Sequence, residues 1–208
     1  RDTLATALEF IEKQQPAAVV WDILFSDVDR MSPGGDAAFN AAAAKSLHSH
    51  FPVVRLPAAN DGASQITRNT LPGLWVPSAV PEGPAPKTGA SSTVALIAPA
   101  LPAIEKARLG FNNGYVDRDG VLRRYRHFES LNDASVLQSI VMSVVGALDP
   151  PTYLQHLNRL QTRADTKDEL IAWRKRADAY PHVSFAAVFA AADGQRPGTE
   201  LPSFAGKI

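Results

Sequence analysis

The sequence predicts an α/β fold: a mixed, partly parallel central sheet with helices packed on it, and a β-hairpin around residues 110–129. Three observations carry this expectation. A helical pattern is followed by an apolar run of strand type, and the same helix-then-strand order comes again directly afterwards. The pair Asp119-Gly120 stands between two stretches of strand-forming residues, which is hairpin chemistry. A proline-rich middle then interrupts the alternation, because proline lacks the amide donor that helices and inner strands need.

Taken in order, Leu4, Ala7, Leu8 and Ile11 recur at helical spacing with Glu9, Glu12 and Lys13 away from them, which predicts a helix over 3–14 stopped by Pro16. Residues 17–25 (AAVVWDILF) form a nearly unbroken apolar run that reads as a buried strand, with Asp22 its lone charge. Residues 26–35 carry Pro33, Gly34 and Gly35 and read as a loop. Asp36 is the expected N-cap of an alanine-rich helix reaching about His48. Residues 53–56 follow as a second strand.

Nine of the sixteen prolines fall between Pro52 and Pro102, so about 57–102 is expected to be an irregular insertion: a functional loop, or cover for short edge strands. Residues 102–108 predict a short helix. Two strands, 110–116 and 121–129, then flank the Asp117-Arg118-Asp119-Gly120 turn. Leu137, Ile140, Val141, Val144 and Val145 share one face of a helix predicted over 134–148, ended by Asp149-Pro150-Pro151. Residues 153–180 are charge-rich and read as one helix followed by a solvated stretch. Residues 182–185 read as extended and 186–192 as helical, before the Asp193-Gly194 turn. Residues 204–208 read as the start of a strand inside which the sequence stops. The whole of 1–208 is expected to form a single domain.

With 208 residues the chain can bury roughly 70% of its unfolded surface. Its 21 basic and 21 acidic side chains leave no cationic excess for a nucleic-acid partner. The absence of cysteine excludes disulfides, thiolate metal sites and a cysteine nucleophile. The longest uncharged stretch, 88–104, is short and broken by Pro99 and Pro102, so it does not read as a membrane span. The sequence opens on Arg1 rather than methionine, and any membrane or targeting segment is expected outside it.

Catalytic motifs are sparse. There is no G-x-S-x-G elbow, no G-x-G-x-x-G and no H-E-x-x-H. The five histidines are scattered, and each is expected to be structural or superficial, so neither a metal nor a cofactor is anticipated. Gly206-Lys207 lacks the rest of a phosphate loop, since Leu201 replaces its first glycine and Ile208 its hydroxyl residue. Asp117 and Asp119 suit a hairpin turn better than a calcium loop, which would need a third acid and a correctly placed Glu.

The acids near the end of the first predicted strand, Asp22, Asp27, Asp29 and Asp36, are the constellation with chemical potential, because α/β folds place ligands at strand ends and carboxylates suit magnesium. The spacing Asp27-Val28-Asp29 is similar to the catalytic pair of haloacid-dehalogenase-like phosphatases. However, Met31 stands where those have Thr or Val, and no matching downstream lysine and acid follow. Arg123 and Arg124 lie on one strand and must face opposite ways, and pairing of one of them with Asp22 would compensate a buried acid.

As an ordered set, the opening helix, VVWDILF with Asp22, GDAAFNAA with Asp36, LGFNNGYVDRDGVLRRY (109–125), ASVLQSIVMSVVG, HVSFAAVF from His182 and FAGKI resemble the CHASE2 extracytoplasmic sensor domains of bacterial signalling proteins. The resemblance spans nearly the whole chain and leaves only the proline-rich middle unaligned. It implies a non-enzymatic, periplasmic sensory module of an integral inner-membrane protein, anchored by segments outside this sequence. The output would be a nucleotide cyclase, diguanylate cyclase or kinase. For a sensor of this kind the expected ligand is a small molecule or a periplasmic protein, bound within a homodimer at the predicted strand ends, where Asp22, Asp27, Arg123 and Arg124 are the candidate site residues. Alternatives are a magnesium-dependent phosphatase-like enzyme and a periplasmic solute-binding domain.

Overall fold

The computed structural model describes residues 1–76, 93–105, 107–131, 136–162, 168–171 and 181–208. By their packing the residues fall into two units, one formed by Arg1–Val19, Val28–Ser49 and Ala172–Ile208, the other by Val20–Asp27 and His50–Ile171.

In the first unit, helix α1 (Asp2–Glu12) packs on α2 (Pro33–Lys45) and on α6 (Phe185–Ala192). Of the stripe read from sequence on α1, Ala7 and Leu8 are buried and Leu4 and Ile11 half-buried, with Ala5 buried beside them; Phe39, Ala42 and Ala43 are buried on α2, and Ala187 and Val188 on α6. Helix α2 opens on Pro33, whose missing N–H costs nothing in a first turn. Asp36 therefore sits inside the helix rather than at its cap, and its carboxylate takes the Asp29 N–H (2.7 Å) and the Arg1 guanidinium. Glu12 clasps the far end of α2: it accepts from the Ser46 hydroxyl, from the His48 backbone N–H and from the His48 ring at 2.7 Å. The strand expected at 204–208 is instead a turn. Gly206 adopts φ +64°, and the Lys207 carbonyl accepts from the N–H groups of Ala17 and Ala18.

The second unit is built on β2 (Ser49–Arg55), longer than the expected 53–56. Strand β4 (Arg108–Phe111) runs parallel to it in the register His50↔Arg108 to Val53↔Phe111. Strand β3 (Leu96–Ile97), inside the proline-rich stretch, pairs antiparallel at Val54↔Ile97 and Arg55↔Leu96. Strand β1 (Val19–Val20) completes the order β1-β2-β3. The fold class is thus the mixed, partly parallel sheet with helices that the sequence predicts. Phe51, Val53, Leu109 and Phe111 are fully buried, and Trp21 stacks flat on Phe51 while Phe25 meets it edge-on.

The run 17–25 is a strand only at 19–20. After Trp21, whose N–H bonds the His50 carbonyl, Asp22, Ile23 and Leu24 are exposed, and Phe25 turns back into the core. Asp22 is therefore no buried acid. The hairpin stands at its turn: Gly120 N–H bonds the Asp117 carbonyl, Asp117 N–H bonds the Val121 carbonyl, and Tyr115 faces Arg124. Beyond that pair the arms separate, 108–111 to β2 and β5 (Arg124–Tyr125) to β8 (Glu169–Leu170).

The helix expected from residue 134 begins only at Ile140. Residues Val136–Gln138 form β7, antiparallel to β6 (Phe128–Ser130), and bury Leu137 in doing so. Ser139 then caps α4 (Ile140–Leu148) by accepting the Met142 N–H. Gly110 makes this join possible, because a Cβ there would lie 2.2 Å from the Ile140 nitrogen. Helix α3 (Pro102–Glu105) precedes β4. Helix α4 ends at Leu148 with Asp149 as its C-cap, where Asp149-Pro150-Pro151 predicts the stop, and Pro150 also opens α5 (Pro150–Thr162), the Asp149 carboxylate accepting from the Thr152 N–H and hydroxyl. Phe128, Met142, Tyr153 and Leu157, with Val76, form a buried cluster between these elements. Most of the solvated stretch expected before Tyr180, and residues 77–92 of the proline-rich segment, lie outside the described residues.

Candidate functional site

The parallel pair β2 and β4 ends at Arg55 and Phe111, and the carboxyl edge of parallel strands is where α/β folds present ligand-binding groups. Two successive asparagines close that edge. The Asn113 amide oxygen accepts the Arg55 N–H and its nitrogen donates to the Arg55 carbonyl, both at 2.8 Å, so it continues the ladder with a side chain. The Asn112 amide donates to Asp22 (3.0 Å), which carries the carboxylate at the end of β1 into the same edge.

Beneath it lies a charge network that sequence reading does not anticipate. The Arg55 side chain is only 3% exposed. It grips Asp61 with two parallel bonds (2.7 and 2.8 Å), Glu129 through Nε (2.9 Å), and the carbonyls of Leu56 and Ala95. Such a fork-to-carboxylate geometry is the strong form of an ion pair. Burial works against the Arg55 charge, but the bonds and charges of Asp61 and Glu129 outweigh it and raise its pKa above the ordinary guanidinium value. Glu129 passes the network to Arg126 at 3.6 Å. Arg126 in turn bonds Asp168 through Nε (2.8 Å) and covers the Tyr115 ring 4.4 Å from its centre. The sequence does offer one signal: Arg55 is the single charge in the run PVVRLP, as Asp22 is in its own.

Of the four residues singled out from sequence, Asp22 alone has a bond to this edge among the contacts described. Asp27 is exposed and accepts from the Ser26 hydroxyl. Arg123 does not pair with Asp22: it is held by Asp119 (2.7 and 2.8 Å) and Asp117 (3.0 Å) on the turn just before it. Those acids are nearer in sequence and reach it at no cost of burial. Arg124 is exposed on β5 opposite Leu170. Asp29 accepts the N–H groups of Met31 and Ser32 (3.0 Å each) and serves as a loop cap. A separate group, His127, His156 and Glu169, brings donor atoms within 4.8 Å of one another from three different elements.

Chemically, the edge offers the exposed Asp22 carboxylate and the exposed Asn112 amide, beside strand ends tied by the buried Arg55 ion pairs. That suits binding of a polar molecule. Among the described residues, no helix is long and apolar enough to cross a membrane.

Comparison with curated proteins and with solved structures gives no match. The family model described as CHASE2 domain matches residues 1–208, the entire chain. CHASE2 domains are extracytoplasmic sensor domains and not catalysts, and this chain belongs to the CHASE2 domain family.

Proposed function

We propose that the chain is the ligand-sensing input domain of a membrane-bound bacterial receptor, has no enzymatic activity of its own, and lies on the periplasmic side of the inner membrane. The parent protein would be anchored by segments outside this sequence and would carry a nucleotide cyclase, diguanylate cyclase or kinase as output. The observation that carries this reading is the family match over all 208 residues. Its site is the carboxyl edge of the sheet, with Asp22 and Asn112 presented to a small molecule or a periplasmic protein and the Arg55 network holding the strand ends beneath them. A sensor reports by binding one conformation better than another, and its signal is bounded by that difference in affinity. The two ends of the chain are the elements through which such a shift would leave the domain, within a homodimer.

The test is Asp22→Asn in the full-length protein, with output activity measured in cells and the purified domain checked for folding by circular dichroism. Because Asp22 is exposed and makes one side-chain hydrogen bond among the described residues, folding is expected to survive and the response to be lost. A normal response in a folded variant would remove Asp22 from the site.

A further inference from the structure

The geometry points to a binding site for a divalent transition-metal ion of the zinc class, formed by His127, His156 and Glu169. The three residues come from separate elements. His127 joins β5 to β6, with its carbonyl fixed by the Ser139 N–H (2.9 Å). His156 lies on α5, and Glu169 on β8 directly opposite Tyr125 of β5. The two imidazoles meet edge to face, 5.1 Å between ring centres and 66° between planes. Glu169 reaches across both: Oε2 is 3.5 Å from His127 Nε2, and Oε1 is 3.5 Å from His156 Nδ1.

Those two separations carry the inference. A charge-assisted bond between an imidazolium and a carboxylate closes to about 2.7–2.9 Å, and this carboxylate faces two rings without closing on either. Zinc bonds imidazole nitrogen and carboxylate oxygen at about 2.0–2.2 Å in a tetrahedron, which sets neighbouring donors about 3.3–3.5 Å apart. The separations on the two sides of the carboxylate match that spacing, and the donor atoms of all three residues lie within 4.8 Å of one another, close enough for one ion to draw together. Among the described residues His127 Nδ1 is buried without a hydrogen-bond partner, and Nε2 is the ring atom that faces Glu169. The neighbouring Arg126 cation is held by Asp168 and Glu129. The histidine side chains are about four-fifths buried while Glu169 is 46% exposed, so an ion has an open side for entry and for a water as fourth ligand. Imidazole and carboxylate donors favour zinc, nickel or copper over the all-oxygen shells of magnesium and calcium.

The inference does not depend on the receptor reading, and its test reads binding alone. The metal-free domain is titrated with zinc chloride and bound zinc is counted after dialysis; cobalt(II) is used in parallel for its tetrahedral ligand-field absorption. One ion per chain is expected. His156→Gln and Glu169→Gln should each weaken binding by about 100-fold or more. His48→Gln, which removes the histidine paired with Glu12, should leave binding unchanged. Glu169 is half exposed, so that variant decides the matter even if His156→Gln folds poorly. Failure of the wild-type domain to take up stoichiometric zinc overturns the site, as does uptake that Glu169→Gln leaves intact or that His48→Gln abolishes.

Discussion

Replacing Arg55 with methionine tests whether the buried ion cluster holds the sheet edge together. The substitution keeps an unbranched stem of similar reach and removes only the guanidinium. What it leaves behind sets the magnitude. Among the described residues, Asp61 keeps the Ala95 N–H as a strong donor at 2.8 Å, while Glu129 keeps only Arg126 at 3.6 Å. Both carboxylates are 16% exposed, and the carbonyls of Leu56 and Ala95 lose their guanidinium donor. Removing one partner of a buried pair costs about 3–5 kcal/mol, because the other charge stays behind uncompensated. For a chain of this size that corresponds to a fall in Tm of about 6–20 °C. Urea and thermal denaturation followed by circular dichroism measure it. The triple variant Arg55→Met/Asp61→Asn/Glu129→Gln, which also removes the stranded charges, should recover a substantial part of the loss. A single-variant loss under about 1 kcal/mol, or a triple variant less stable than the single one, would refute the reasoning.

The clasp at Glu12 predicts a pH dependence. Burial raises its pKa, but the bonds from Ser46 and His48 and the His48 charge outweigh this and hold it below 4.5. The folded state therefore binds this proton less readily than the unfolded state, so the contribution is present above about pH 4.5 and is lost as pH falls through the folded value. Glu12→Gln should lose about 1–2 kcal/mol at pH 7 and flatten the acid limb of a stability–pH curve; an unchanged limb would contradict it. Gly110→Ala places a methyl 2.2 Å from the Ile140 nitrogen and 2.4 Å from the Ser139 carbonyl carbon. A shift of main chain against β4 should cost about 2–3 kcal/mol in denaturant melts, and wild-type stability would refute the close approach.

What was legible in the sequence was local. Leu4, Ala7, Leu8 and Ile11 specify α1 by periodicity alone, and Asp117 to Val121 specify their turn by chemistry that no distant residue alters. The ordered segments also carry enough of the family pattern for the resemblance to agree with the match. Periodicity misleads at Val136–Gln138, where Leu137, Ile140 and Val144 satisfy helical spacing although Leu137 is buried from a strand and Ser139 starts the helix behind it. Asp22 reads as buried because its neighbours are apolar; nothing local says that the chain leaves the sheet after Trp21. The candidate site was the least legible part. Arg55 meets Glu129, and His127 meets His156 and Glu169, only through β6 and the β5–β8 pairing, and no short motif encodes a contact between segments so far apart.

The central claim, a sensor domain outside the cytoplasm, is tested most directly by fusing alkaline phosphatase or β-galactosidase after Ile208 in the full-length gene. Alkaline phosphatase becomes active only where its disulfides form, outside the reducing cytosol. The account predicts an active phosphatase fusion and an inactive galactosidase fusion. The reverse pattern would contradict it.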